Sequence, residues 1–303
     1  MNTVLASRYD EIIDRLVLGI EPVDGARRRR LAQPVEVIVE PRLPFGNPLS
    51  PEEKAWLISL RERTTGPEAR GRALVDSWSR AERHPSCLHA LRFRQEIGDR
   101  VDLRILDRSQ RFVPRRLRVP LVPLGAPPDL ALLDALPVGQ RSRRPALFPG
   151  AAYDVSECVT GLRGRAVVRA GVPPRLIAAR WARVQALDQN NRVVGVAHAD
   201  HQGEFLLLIA PEAVQVADLP SPFTLSVRVR GTKPPPAPPP REIVDVDAFW
   251  DIPRETAAAP GSVADPVMDG TAPVPAFTAS VSRAVDFTFG ALISGGIAPF
   301  EIT

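Results

Sequence analysis

Along most of this chain apolar residues recur at every second position, and one stretch switches to a helical spacing. Leu16, Leu18 and Ile20 alternate with Val17 and Gly19, and Val35, Val37 and Val39 alternate with Glu36 and Ile38. Two strands joined by a turn near Asp24-Gly25 fit this pattern. Arg27–Arg30 then fall in the connection or on an exposed edge, where a basic run discourages edge-to-edge pairing; an acidic partner is the alternative. Between residues 50 and 80 the spacing becomes helical. Ser50-Pro51-Glu52-Glu53 sets a capping serine, a proline at the first helical position and a glutamate three residues after the cap. Trp56, Leu57 and Leu60 share a face, and Leu74, Val75 and Trp78 repeat the stripe after a second start at Thr65–Glu68. Two short helices result, with Trp56 and Trp78 expected as core anchors.

The two-residue period returns at Leu91 and Phe93, continues at Val101, Leu103 and Ile105, and recurs through Phe112, Val113, Leu117 and Val119. Turns are expected near Gly98-Asp99 and Asp107–Gln110. Pro114 and Pro120 have no amide hydrogen for a ladder, which predicts a bulged or edge position for the third strand. Beyond a proline-punctuated stretch, three runs rich in Val, Leu and Ile between Thr160 and Pro211 are cut by Gly, Asn and Asp. The strand Phe223–Arg230 follows. The chain is thus mainly β: two β-sandwich domains in tandem, a small helical insertion in the first, and an extended C-terminal arm.

The boundaries that follow are 1–121 for the first sandwich with its insertion at 50–80, 122–159 for a proline-rich connector, 160–232 for the second sandwich, and 233–303 for a spacer and arm. Pro234–Pro240 predicts a stiff polyproline II spacer. The remainder is apolar without sustained periodicity, as expected of an arm that docks on another subunit, for instance by adding a strand. Leu147, Phe148 and Tyr153 in the connector, with Phe249, Trp250, Phe287, Phe289 and Phe300 in the arm, are the candidate partner-docking residues.

Composition narrows the possibilities. Hydrophobic content of 44% and charged content of 24% in 303 residues allow sizeable cores. All but two of the 39 basic residues are arginine, Lys54 and Lys233 being the exceptions, yet the net charge is only +4. Basic and acidic residues are interleaved, which argues against a nucleic-acid partner. The start of the chain has no basic leader followed by an apolar segment, and the longest apolar run is Phe205–Ala210, so neither export nor membrane insertion is expected. Cys87 and Cys158 lack a paired spacing and read as free thiols in a soluble, cytosolically made chain.

The second sandwich carries a resemblance. T-G-L-R-G-R-A-V-V, W-A-R-V-Q-A-L-D and V-V-G-V-A-H-A-D-H-Q-G-E-F-L-L-L together resemble a carboxypeptidase-regulatory-type domain, a transthyretin-like β-sandwich. The family's A-x-T-D-x-x-G-x-F hairpin is matched by Ala197 to Phe205, with Ala199 where the pattern has Thr and His198 at its variable position. Asp200 is suited to bonding turn amides, Gly203 to a positive φ, and Phe205 to returning the chain to the core. The resemblance covers roughly Thr160 to Gly231 and implies a structural or adhesive module. The overall layout is similar to accessory proteins of phage-tail-like contractile injection systems, including caps and terminators. That implies a non-enzymatic assembly protein of a particle that is released from the cell, oligomeric there, whose partners are other protein subunits such as sheath, tube or cap proteins. A stand-alone module binding carbohydrate or peptide through its loops is the alternative.

Candidate chemistry is sparse. His198, Asp200 and His201 have metal-ligand types at a spacing that puts the first two on one side of a strand, but with no further His or Cys nearby in sequence they read as exposed turn residues. His84 and His89 flank Cys87 without a recognisable oxyanion loop. Gly161–Gly164 lacks the spacing of a phosphate loop. No catalytic residue, metal or cofactor is expected.

Overall fold

A computed structural model describes residues 16–41, 49–92, 98–125, 129–155, 159–210, 222–262 and 264–303. The chain begins with β1 (Leu16–Ile20), β2 (Val23–Asp24), β3 (Arg29–Arg30) and β4 (Glu36–Glu40). β1 and β4 do not form the expected hairpin. The turn after Asp24 closes only the short β2–β3 pair, because the Asp24 carboxylate holds the amides of Ala26 and Arg27 at 2.9 Å. The chain then crosses to the other side of the core.

The insertion follows the start signals read from its sequence. In α1 (Pro51–Arg63) Ser50 Oγ accepts from the Glu53 amide at 3.2 Å, and Glu53 Oε2 accepts from the Ser50 amide at 2.7 Å. α2 (Pro67–Arg70) and α3 (Ala73–Asp76) are single turns. Leu57 is buried with Leu49, Leu74 and Val246, whereas Trp56 is 41% exposed and is no core anchor. Adjacent helical residues lie about 100° apart, so a helix touching its neighbours along one narrow stripe excludes one of the two. Trp78 is half-buried, with the Arg104 guanidinium 5.1 Å from its ring.

β5 (Glu82–Arg83), β6 (His89–Arg92), β7 (Arg100–Leu106) and β8 (Arg115–Pro120) follow; Phe93 lies outside the described residues. β7 and β8 form a hairpin whose turn is organised by Asp107, which accepts from the amides of Ser109, Arg111 and Phe112. Phe112 and Val113 are buried but precede the strand, pairing instead with Pro149 and Phe148. Next come α4 (Leu130–Ala135), α5 (Val138–Arg141), β9 (Ser142–Arg143) and β10 (Ala146–Leu147). Part of the expected connector therefore serves the first sandwich, since β9 pairs with β1 and β10 with β2, both in parallel.

The second sandwich comprises β11 (Gly161–Ala170), β12 (Arg175–Ala178), β13 (Arg183–Leu187), β14 (Val193–His198), β15 (Glu204–Leu208) and β16 (Phe223–Gly231). The C-terminal segment adds α6 (Arg241–Val244), β17 (Arg254–Thr256), β18 (Ala279–Phe287), β19 (Leu292–Ser294) and β20 (Phe300–Ile302). This segment is extended, and it docks on its own chain. β17 pairs with β8, giving a sheet ordered β17-β8-β7-β4 opposite β5-β6-β1-β9. β8 is consequently an interior strand, which its prolines permit because β17 reaches only Arg116–Arg118. β18 pairs with β16 over nine residues and completes β14-β13-β16-β18, while β19 and β20 run parallel to β11 in the facing sheet.

Candidate docking surface

The residues singled out for docking divide on folding. Phe287 and Phe300 are at 0% and 1% exposure in the core of the second sandwich, the first stacked on Phe223 and the second against Phe205. They complete the core of their own sandwich and are not offered to a neighbour. Leu147 lies in the first core, and Tyr153 is buried with its hydroxyl donating to Asp24 Oδ2 at 2.7 Å. Phe148 is buried against His198, ring centroids 4.0 Å apart. Phe249 and Trp250 are half-buried, and Phe289 remains exposed beside Phe223.

The turn at Asp200 has the form read from its sequence. Asp200 Oδ1 accepts from the amides of Gln202 and Glu204 at 2.7 and 3.0 Å, and Phe205 enters the core. Gly203 has φ +76, and a Cβ there would sit 2.4 Å from the Ala166 carbonyl oxygen. His198, Asp200 and His201 do not converge. His198 is fully buried, Asp200 is committed to the turn, and His201 lies against Trp181 and Phe249. Cys87 likewise meets neither flanking ring: Arg83 Nη2 approaches its sulfur at 3.7 Å, while His84 Nδ1 contacts Ser86 Oγ at 2.7 Å and His89 is buried.

Between the sandwiches lies a group of buried charges. Arg115 of β8 and Arg183 of β13 both bind Glu255 of β17. Burial alone would raise the Glu255 carboxyl, but the two guanidiniums outweigh it and hold it below its ordinary value. Arg104 makes a second cluster, donating to Glu40 Oε1 at 2.7 Å and to both Asp247 oxygens at 2.8 and 2.9 Å. Each cluster joins the C-terminal segment to the sandwiches. Asp247 and Glu255 belong to the C-terminal segment, where no local sequence signal marks them.

An unfilled edge stands apart from these closed contacts. Among the described residues β12 pairs only with β11. Leu176 and Ile177 on it are 51% and 41% exposed, and Val172 just before it is fully exposed. The Ala179 amide donates to Ala166 at 3.0 Å in the same register, so alternation turns the amides and carbonyls of Leu176 and Ala178 toward the open side. Ile177 and Ala178 also line a cavity of about 270 Å3, whose far walls include Pro235, Pro236, Trp250 and Phe277. Arg180 and Asp251 pair beside it at 2.8 Å, and Trp181 Nε1 donates to the same carboxylate. The arrangement can take up an extended chain at the strand edge and an apolar side chain in the cavity.

No family model, curated protein or solved structure matches this chain. No helix among the described residues is long and apolar enough to cross a membrane.

Proposed function

We propose that this chain is a non-enzymatic assembly subunit of a phage-tail-like contractile particle, acting as a cap, terminator or baseplate accessory. The observation that carries its docking role is the open β12 edge, with Leu176 and Ile177 exposed beside an apolar cavity. A sheet edge of this kind offers backbone partners to a strand from a neighbouring subunit. The particle setting rests on the likeness of the central sandwich and overall layout described from the sequence. The test is sedimentation of intact particles from producing cells, followed by quantitative mass spectrometry. This chain is expected at a fixed ratio to sheath and tube subunits; recovery only in the soluble fraction overturns the reading. The cavity itself favours a second reading, a stand-alone peptide-binding module, which predicts that soluble outcome.

A further inference from the structure

We infer that the β12 edge and its cavity receive an extended segment of a partner protein that carries one aromatic or proline ring flanked by carboxylates. This deepens the docking part of the proposed function and rests on that part alone.

Three features define the occupant. The cavity, at about 270 Å3, has room for one large side chain and falls below the roughly 300–1,000 Å3 usual for small-molecule sites. Its walls of Pro235, Pro236, Trp250 and Phe277 present flat apolar faces, which favour a ring over a branched aliphatic group. The surrounding charge is positive. Arg175 has no ion-pair partner among the described residues, and Lys233 lies between the lining residues Thr232 and Pro235. Arg180 and Arg169 are already matched to Asp251 and Glu301. Residues two apart on a strand share a face, so Arg175 lies on the side of β12 from which Ile177 meets the cavity. A carboxylate two residues from the ring therefore comes within reach of Arg175. Pro173, Pro174 and Arg175 shorten and charge the edge, devices that protect an edge from indiscriminate pairing, so the strand admitted here is short and chosen by its flanks.

The experiment uses the full chain and capped pentapeptides Glu-Val-Xaa-Val-Glu and Lys-Val-Xaa-Val-Lys, with Xaa as Trp, Pro or Ser. Affinity is read by calorimetry and amide exchange by NMR. The Trp and Pro peptides with glutamate flanks are expected to bind at least about tenfold tighter than the Ser peptide, and about fivefold tighter than their lysine-flanked forms. Binding should slow exchange at the Leu176 and Ala178 amides. Arg175→Glu should reverse the flank preference, and Trp250→Ala should remove the ring preference while leaving that of the flanks. Equal affinity across the panel, absence of binding at millimolar peptide, or binding without protection of those amides overturns the inference. A chain already dimeric through this edge, with both amides protected before peptide is added, overturns it in favour of a second copy. A chain that binds the peptides yet belongs to no particle fails the proposed function and keeps this inference; a particle component indifferent to the peptides does the reverse.

Discussion

Arg183 Nη2 donates to Glu255 Oε1 at 2.9 Å, joining the second sandwich to a strand that belongs to the first. Glu255 also takes a two-pronged contact from Arg115, both bonds at 3.1 Å, so one carboxylate serves two guanidiniums. All three side chains are buried. Backbone carbonyls of Ala146, Met268 and Val267 take further donors of Arg115, and that of Trp181 takes Arg183 Nη1, while Arg183 Nε has no hydrogen-bond partner among the described residues.

Removing the single negative charge of this triad leaves two buried cations facing each other. Glu255→Gln is expected to destabilise the chain by about 3–5 kcal/mol in urea unfolding. Replacing all three by apolar residues of similar size should cost much less, because no charge is then left unpaired. A loss under about 0.5 kcal/mol for the single variant would mean that water reaches the junction.

Deletion of residues 279–303 removes the nine-residue β18 ladder and both strands parallel to β11. It also uncovers the core side of Phe205 and Phe223, which Phe300 and Phe287 cover in the whole chain. The truncated chain should lose the cooperative unfolding transition of the second sandwich, followed by near-ultraviolet circular dichroism. Phe287→Ala, a milder form of the same change, should cost about 3–5 kcal/mol. An unchanged transition after truncation would restore the view of a detachable arm.

Two buried histidines make stability fall with acid. Burial, then the charge of Arg83, lowers the His89 pKa to about 4; burial, then Arg183 and Arg115, holds His198 well below its ordinary value. Neither ring nitrogen of His89 has a hydrogen-bond partner among the described residues, and at His198 the Gly270 backbone opposes the shift without cancelling it. Below about pH 6.5 the unfolded chain takes up protons that the folded chain refuses, so stability drops as pH falls. For His89 the loss accumulates between about pH 6.5 and 4 and then levels. Urea midpoints measured from pH 7.5 to 4.5 should decline, and the double variant His89→Leu/His198→Leu should flatten the slope. A wild-type midpoint constant over that range would refute the assignment.

Gly270 illustrates what local reading misses. It adopts φ +70, and a Cβ there would fall 2.3 Å from the Phe148 ring that lies tilted against His198. From its neighbours it is one more turn glycine, and His198 is the last residue of a strand entering a turn. Only their meeting with Phe148 explains why all three are placed as they are.

By itself the sequence determined the β character, the capped helix at Ser50, the Asp107 turn and the Asp200–Phe205 hairpin. Each depends on contacts within a few residues: alternation along a strand, a side chain bonding a nearby amide, a glycine relieving a positive φ. The alternation of Val281, Arg283, Val285 and Phe287 was also present, though its Ser, Ala and Asp spacers and the irregular chain around it concealed the strand. Tertiary structure alone decided which sheet each strand joined, that the tail completes two sandwiches of its own chain, and that Glu255 lies between Arg115 and Arg183. It also decided that β12 keeps an open side beside a cavity. Strand pairing over more than a hundred residues, as between Arg116 and Arg254, is set by which apolar faces can be buried together, and that choice has no local signature.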